Sequence, residues 1–463
     1  MTKHGIFKIG LIAFIILFVL FVYFAYERIL YFDTPFHLFK IINFEKINIE
    51  ANRYSTFITQ IPLLLAIKLN LPIQLLIHIL NISYFLLFLG IYFLIIKFTE
   101  NIYISLAYIL LLIVNIKQCF YFSSTETHQA LVYSALTFSL LFSKEKNHVL
   151  LPLLILISIA LSFFSHPVAF FCVIYSLGYY MIDKNKFQDK KIYFYILFTI
   201  LLVVFKILYV KSDSYEGNFF NTLFFRDNSW DNPVLFSAVF LWRNLIKLYW
   251  VNFVGLIILL IFLRKQQKKL SFYYHFFAFF IFLSITIITY QKGDADVMME
   301  RAYMPLSFFT ILPLFNELSK SDKIKKYLLY FFVLIFTVSI VRIANFGFYL
   351  KNGLNEVDKL IYEAIQKNNH KIIIENRNFV TKDELKRWSM PFMSLLYSKS
   401  KYDKCVTINV VNNINDAMPY INNKEKCNIL LGPDFWPEWK VEDLNQKYYN
   451  FPPCELYTLK KFD

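Results

Sequence analysis

Residues 9–30, IGLIAFIILFVLFVYFAYERIL, run straight into residues 31–54, YFDTPFHLFKIINFEKINIEANRY. The first stretch is long and apolar enough to cross a bilayer, whose hydrocarbon core takes about 20 residues of helix. It is too long for the core of a signal peptide and lacks a small-residue cleavage site, so it reads as a retained helix. The second stretch gathers Asp33, His37, Glu45, Glu50 and Arg53 just past the end of that span. Ionisable groups are costly beside lipid, so a group of them at one mouth of a bundle marks chemistry.

The apolar pattern recurs along the chain. Helices are predicted near 8–31, 73–97, 102–118, 127–143, 149–165, 168–182, 192–210, 236–263, 271–290, 302–316 and 327–346. The composition agrees: 57% of residues are hydrophobic and 17% charged, against about 25% charged in soluble chains. This predicts a polytopic α-helical membrane protein with about 11 transmembrane helices. The loops on one side hold Lys3, Lys8, Lys97, Lys144, Lys184, Lys268, Lys320 and their neighbours, 17 Lys/Arg against 8 on the other. That bias predicts a multi-pass protein of the plasma (inner) membrane with a cytoplasmic N-terminus and an extracytoplasmic C-terminus. The net charge of +15 is therefore a matter of orientation. No basic stripe interleaved with aromatics is present, which argues against nucleic acid as a partner.

Residues 55–72 are too short and too interrupted by Pro62, Lys68 and Pro72 to span comfortably. They read as a helix on the outer interface, the alternative being a tilted or re-entrant segment. After residue 346 the composition turns polar, dividing the chain into a transmembrane domain, 1–346, and a small α/β extracytoplasmic domain, 347–463. A helix is predicted at 355–367, strands at 371–375, 406–411 and 429–431, and a capping box at Thr381–Glu384 opening another helix. Cys405, Cys427 and Cys454 allow one disulfide there and match no metal motif.

Asp33 lies two or three residues past the first span, where a partly desolvated, fixed carboxylate suits a general base. His37 is one helical turn further on, placed either to hydrogen-bond Asp33 or to face headgroups. Glu126 and His128 open the fourth helix, as helix-capping groups or as substrate-binding groups. His166 precedes Pro167 in a tight outer turn, as a catalytic imidazole or a turn residue. Asp294 and Asp296, two residues apart, have the spacing to share a divalent metal (Mg or Mn) that also meets a diphosphate. Arg301 begins the tenth helix, where its planar fork suits phosphate and Asp294, Asp296 and Glu300 are expected to hold it. Arg243 and Lys247, four apart, form a cationic clamp for a lipid head or simply snorkel.

These features together resemble the C-type superfamily of polytopic membrane glycosyltransferases, which take sugars from polyprenyl-phosphate donors. The resemblance is carried by the inside N-terminus, by Asp33 in the first outer loop, and by the interface segment 55–72. The many spans, the stretch Arg301-Ala302-Tyr303-Met304-Pro305 and the C-terminal α/β domain complete it. It covers most of the chain as architecture, and only Asp33 and the Arg301 region as motif. It implies inverting transfer of a hexosyl or pentosyl group from a polyprenyl-phosphate-linked sugar to a glycan, lipid or protein acceptor, with Asp33 activating the acceptor. The rival readings are a transporter or flippase for an anionic lipid or solute, a surface-glycan polymerase or ligase, and a non-catalytic scaffold. A transporter calls for midplane charges and related halves, whereas Lys206 and Arg342 lie nearer helix ends and no internal symmetry is apparent.

Overall fold

The computed structural model describes residues 3–144, 149–209, 236–289, 296–375, 385–411, 413–422, 429, 439–452 and 455–460. In chain order the helices begin with α1 (Lys3–Tyr23), α2 (Ala25–Ile29), α3 (Thr34–Phe44), α4 (Phe57–Lys68), α5 (Ile73–Phe98), α6 (Tyr103–Leu111) and α7 (Glu126–Leu141). They continue with α8 (Leu151–Ser165), α9 (Ala169–Asp183), α10 (Lys190–Tyr209), α11 (Phe236–Asn244), α12 (Trp250–Lys265) and α13 (Lys269–Thr289). After these come α14 (Asp296–Tyr303), α15 (Leu306–Leu318) and α16 (Lys325–Gln366). The C-terminal part adds β1 (Lys371–Glu375), α17 (Leu385–Tyr402), β2 (Thr407–Val411), α18 (Ile414–Asn422) and β3 (Thr458–Lys460).

Among the described residues six helices are long and apolar enough to cross a membrane: α1, α5, α10, the joined Ser237–Lys265, α13 and α16. This is a helical membrane protein. The lipid-facing side of these helices is a surface of exposed isoleucine, leucine and phenylalanine, such as Ile15, Leu86, Ile257 and Ile281. Every residue of α6, α7 and α15 is buried. A helix apolar all round belongs at the centre, and these three short helices are the core that the long ones enclose.

The helix predicted over 102–118 stops at Leu111, and residues 112–125 run on as irregular, almost wholly buried backbone. Such backbone survives at membrane depth only where protein groups satisfy it. Three charged side chains do so. Arg342 donates to the carbonyls of Ile113, Val114 and Ile116. Arg28 donates to Phe120 O while stacked against the Phe21 ring at 3.6 Å. Glu300 Oε2 accepts the N–H groups of Lys117, Gln118 and Cys119 at 3.0, 2.8 and 3.1 Å, an anion in a nest of backbone donors. Tyr121, in this same segment, donates its hydroxyl to Ile343 O at 2.8 Å across α16. That approach is open because residue 347 is glycine, where a Cβ would lie 2.1 Å from Tyr121 Oη and 2.7 Å from the Phe24 ring. Gly347→Ala is therefore expected to destabilise the protein by about 1–3 kcal/mol, the usual cost of overpacking. Thermal unfolding in detergent measures this, and an unchanged midpoint would mean that Tyr121 has room to swing aside.

Two other predicted boundaries move. The helix expected at 302–316 is split, α14 ending at Tyr303 and α15 starting after Pro305, because proline lacks the N–H a continuous helix needs. The predicted 327–346 and 355–367 helices are one helix, α16, of 42 residues. No break in the chain path marks the change of composition at residue 346.

The strands form a parallel three-stranded sheet in the order β2-β1-β3. Ile429, predicted to lead the third strand, makes only an isolated bridge with Trp439, and the third strand is β3. The capping box at 381–384, Cys427 and Cys454 lie outside the described residues, while Cys405 is a buried free thiol. The C-terminal part packs directly on the bundle. Phe392 of α17 meets Phe36 and Phe39 of α3 with both ring centroids at 5.1 Å, and Tyr449 and Trp439 meet Phe39 at 5.3 Å.

At the other end of the bundle, α9, α13 and α15 are tied by ion pairs. Lys320 reaches Asp183 at 2.6 Å and Glu317 at 2.8 Å, and Lys268 reaches Glu317 at 2.8 Å. Lys184 pairs with Glu100 nearby. The loops carrying Lys184, Lys268 and Lys320 thus meet at one end, and α5 and α7 run from there to the opposite mouth.

Candidate functional site

That opposite mouth is built where α1 gives way to α3. Phe32 takes a left-handed conformation, φ 56°, and Asp33 then stands at the N-cap of α3 with Pro35 in its first turn. Proline is tolerated there because the first-turn N–H groups have no helical partner. The turn sets Thr34 and His37 on the wall of a small, partly open cleft. Asn48, Glu50 and Thr56 from the α3–α4 connection, Gln60 of α4, Tyr84 of α5, Ser124 and Glu126 complete its polar lining. Hydroxyls, amides, an imidazole and two carboxylates are therefore presented in one small space.

Glu126, 6% exposed, lies between two buried guanidiniums. Its Oε1 is 2.8 Å from Arg53 Nη1 and its Oε2 is 3.2 Å from Arg301 Nη2. Arg301 Nε also donates to Thr127 Oγ1 at 2.8 Å. Burial by itself would raise the Glu126 carboxyl, but Arg53 and Arg301 outweigh it and hold the group at about 2. Glu126 is thus a fixed anion that pins two cations side by side beneath the cleft. His166 belongs to the same neighbourhood. Burial, then Arg301, Arg53 and Lys206, push it well below the usual imidazole range. The N–H of Val168 donates to His166 Nδ1 at 3.2 Å, so the neutral ring carries its proton on Nε2. His166 is a hydrogen-bond donor here rather than a base.

No protein-family model, curated protein or solved structure matches this chain.

Of the residues singled out in the sequence, the structure brings Glu126 and Arg301 into contact, with His37 on the cleft wall and His166 beside the arginines. Asp33 directly precedes Thr34 of the wall, half-buried, with its carbonyl receiving His37 N–H at 3.1 Å. His128 does not line this cleft. Two residues past Glu126 it points about 200° round the helix, where its Nε2 meets Leu112 O at 3.0 Å and its ring lies against Phe88. It is a buried histidine that lines a separate cavity together with Arg28. Arg243 pairs with Asp296 at 3.4 Å on an exposed surface, and Lys247 is exposed. Asp294 lies outside the described residues, and among those described no three His, Cys, Asp or Glu residues come together as metal ligands. The holder expected for Arg301 is also different: Glu300 turns to the backbone of Lys117, Gln118 and Cys119, and Glu126 takes its place.

The residue underrated in the sequence is Arg53. Its position in the polar stretch after the first span was visible, but its partner is 73 positions away in sequence, at Glu126. No local spacing encodes that pair.

Proposed function

We propose that this chain is a membrane glycosyltransferase that moves a sugar from a polyprenyl-phosphate donor to a glycan, lipid or protein acceptor at the extracytoplasmic face. The observation carrying this reading is the Arg53–Glu126–Arg301 cluster beneath a hydroxyl- and amide-lined cleft, directly after the first span. A sugar calls for hydroxyl and amide partners, and its leaving phosphate calls for buried cations. Asp33 takes the acceptor proton as the acceptor oxygen bonds to the anomeric carbon and the bond from that carbon to phosphate breaks. Arg301 and Arg53 stabilise the departing phosphate charge, with His166 Nε2–H as a further donor. The extracytoplasmic assignment follows the Lys/Arg bias of the loops, and residues 347–463 form the extracytoplasmic α/β part on this reading. A divalent metal at Asp294 and Asp296 enters no step, Asp296 being engaged by Arg243.

The lysine-rich end supports chemistry at one mouth over passage through the bundle. There Asp183 and Glu317, both almost fully buried, are each bound by two lysines and close the helix ends together.

Arg301→Lys tests the phosphate assignment. A lysine keeps the charge and loses the planar fork, so a lipid-phosphate analogue should bind more weakly by about 1–3 kcal/mol, the scale of a charge-assisted hydrogen bond. Equal affinity of the two forms in a titration would return Arg301 to a purely structural partner of Glu126.

A further inference from the structure

We propose that residues 45–53, between α3 and α4, form a strap that rests on the bilayer surface and gates sideways entry from the lipid into the cleft. The inference rests on the transferase reading only for the identity of what enters.

The strap has two chemically different faces. Ile47 and Ile49 are exposed, 38% and 39%, while the alternate residues Asn48 and Glu50 line the cleft. Alternation of this kind is that of an extended segment with one side to each environment. The exposed row continues through Phe44, Tyr54 and Phe57 at the strap's ends and along α4 through Ile61, Leu65 and Leu69. A contiguous apolar row of this length is unfavourable in water. Flanked by Lys40, Lys46 and Lys68, and carrying Tyr54, it has the make-up of a segment seated at the headgroup boundary.

The inner face is fastened by polar side chains. Gln60 grips the Asn48 backbone from both sides, accepting its N–H and donating to its carbonyl, each at 2.8 Å. Asn48 Nδ2 donates to His37 Nδ1 at 2.8 Å, and Lys40 pairs with Glu50. Apart from Arg53 no residue of the strap is buried, so apolar packing does not hold it. Segments held by a few part-exposed hydrogen bonds are those that open locally. The middle is held by these polar contacts alone, and the ends are anchored separately. Asn445 holds one end, donating through Nδ2 to Ile42 O and to Glu45 Oε1, both at 3.0 Å. Arg53 holds the other on Glu126. Glu45, Ala51 and Asn52 all have φ between 50° and 56°, placing left-handed bends at both ends, where the chain turns.

Behind the strap Thr34 is fully buried and Gln60, Ser124 and Glu126 are nearly so. A sugar carried on a lipid reaches them only when the strap lifts. Its hydroxyls are then able to replace the bonds that Gln60, His37 and Asn48 give one another.

The test uses the full-length protein in phosphatidylcholine–phosphatidylglycerol nanodiscs and reads two things. A photo-reactive amino acid in place of Ile49 should give phospholipid adducts by mass spectrometry, and the same group in place of the exposed Asp403 should give none. Separately, Thr34→Cys should react slowly with maleimide and about tenfold faster when Gln60→Ala or Glu50→Gln removes a fastener, the effect of one or two hydrogen bonds. Peptide-resolved detection separates this cysteine from the native ones. Two release variants are used so that a misfolded one, seen by its thermal midpoint, does not decide the outcome. Absence of lipid adducts at position 49, or equal labelling rates in the parent and in a folded release variant, would overturn the gate. Neither readout involves sugar transfer, so failure of the gate and failure of the transferase reading are told apart.

Discussion

Asp33→Asn is expected to lower turnover by about 10²- to 10⁴-fold, the range lost when a positioned general base is removed. The substitution keeps the size and removes the basicity together with the charge, one acceptor oxygen becoming an amide donor. The loss should therefore fall on kcat, with donor affinity changed by no more than about twofold. The position is favourable for this role. Asp33 stands at the N-cap of α3, immediately before Thr34 and one turn before His37, both on the cleft wall. Single-turnover transfer from a polyprenyl-phosphate sugar, with binding measured separately, distinguishes the two parameters. A folded Asn variant with parental turnover would leave Asp33 as an interfacial anchor and remove the proposed base.

The second large effect concerns stability. Glu126→Ala should cost about 3–5 kcal/mol, because it leaves two buried guanidiniums facing each other without their shared anion. Glu126→Gln keeps the shape and loses the charge, so most of the penalty should persist. An alternative outcome, in which Gln restores stability in full, would show that Glu126 matters here for its shape rather than its charge. The same carboxylate sets an acid limit. Its pKa is depressed from the ordinary 4.5 to about 2 in the folded protein. Its contribution is therefore fully present above pH 4.5 and is lost as pH falls through about 2. Melting midpoints between pH 5 and pH 2 should fall less steeply for Glu126→Gln than for the parent.

Much of the fold was legible because it depends on properties a sequence carries locally. Of the eleven predicted apolar runs, six correspond to helices long and apolar enough to cross a membrane among the described residues, since length and hydropathy are read directly from the chain. β1 and β2 fell within a residue of the predicted strands, their β-branched runs being distinctive. The misplaced boundaries have another cause. α6 stops at Leu111 because Arg342, Arg28 and Glu300, all distant in sequence, supply what a helix would otherwise supply to residues 112–125. Nothing within residues 102–118 reveals those partners. β3 is only three residues long and is specified by its pairing with β1.

The site follows the same division. That polar residues gather after the first span was readable, and so was the pairing capacity of Arg301. Which carboxylate Arg301 meets was not, because Glu300 is its neighbour in sequence and Glu126 its neighbour in space. His128 shows the limit differently: it shares a short motif with Glu126, but helical geometry sends the two side chains to opposite sides.

The unbroken 42 residues of α16 make it an axle about 63 Å long at 1.5 Å per residue. Whatever is fixed to its far end is held at a set height and a set angular phase. That phase is locked near the middle of the helix by Arg342 and by the seat of Tyr121 at Gly347. One residue inserted beyond Gly347 would raise everything past it by about 1.5 Å and turn it by about 100°. Seven inserted residues, almost two whole turns, would restore the phase to within about 20° while lifting the sheet by about 10 Å. Height and angular phase, both left unset by a flexible linker, are thus coupled along this helix and change together with every residue added.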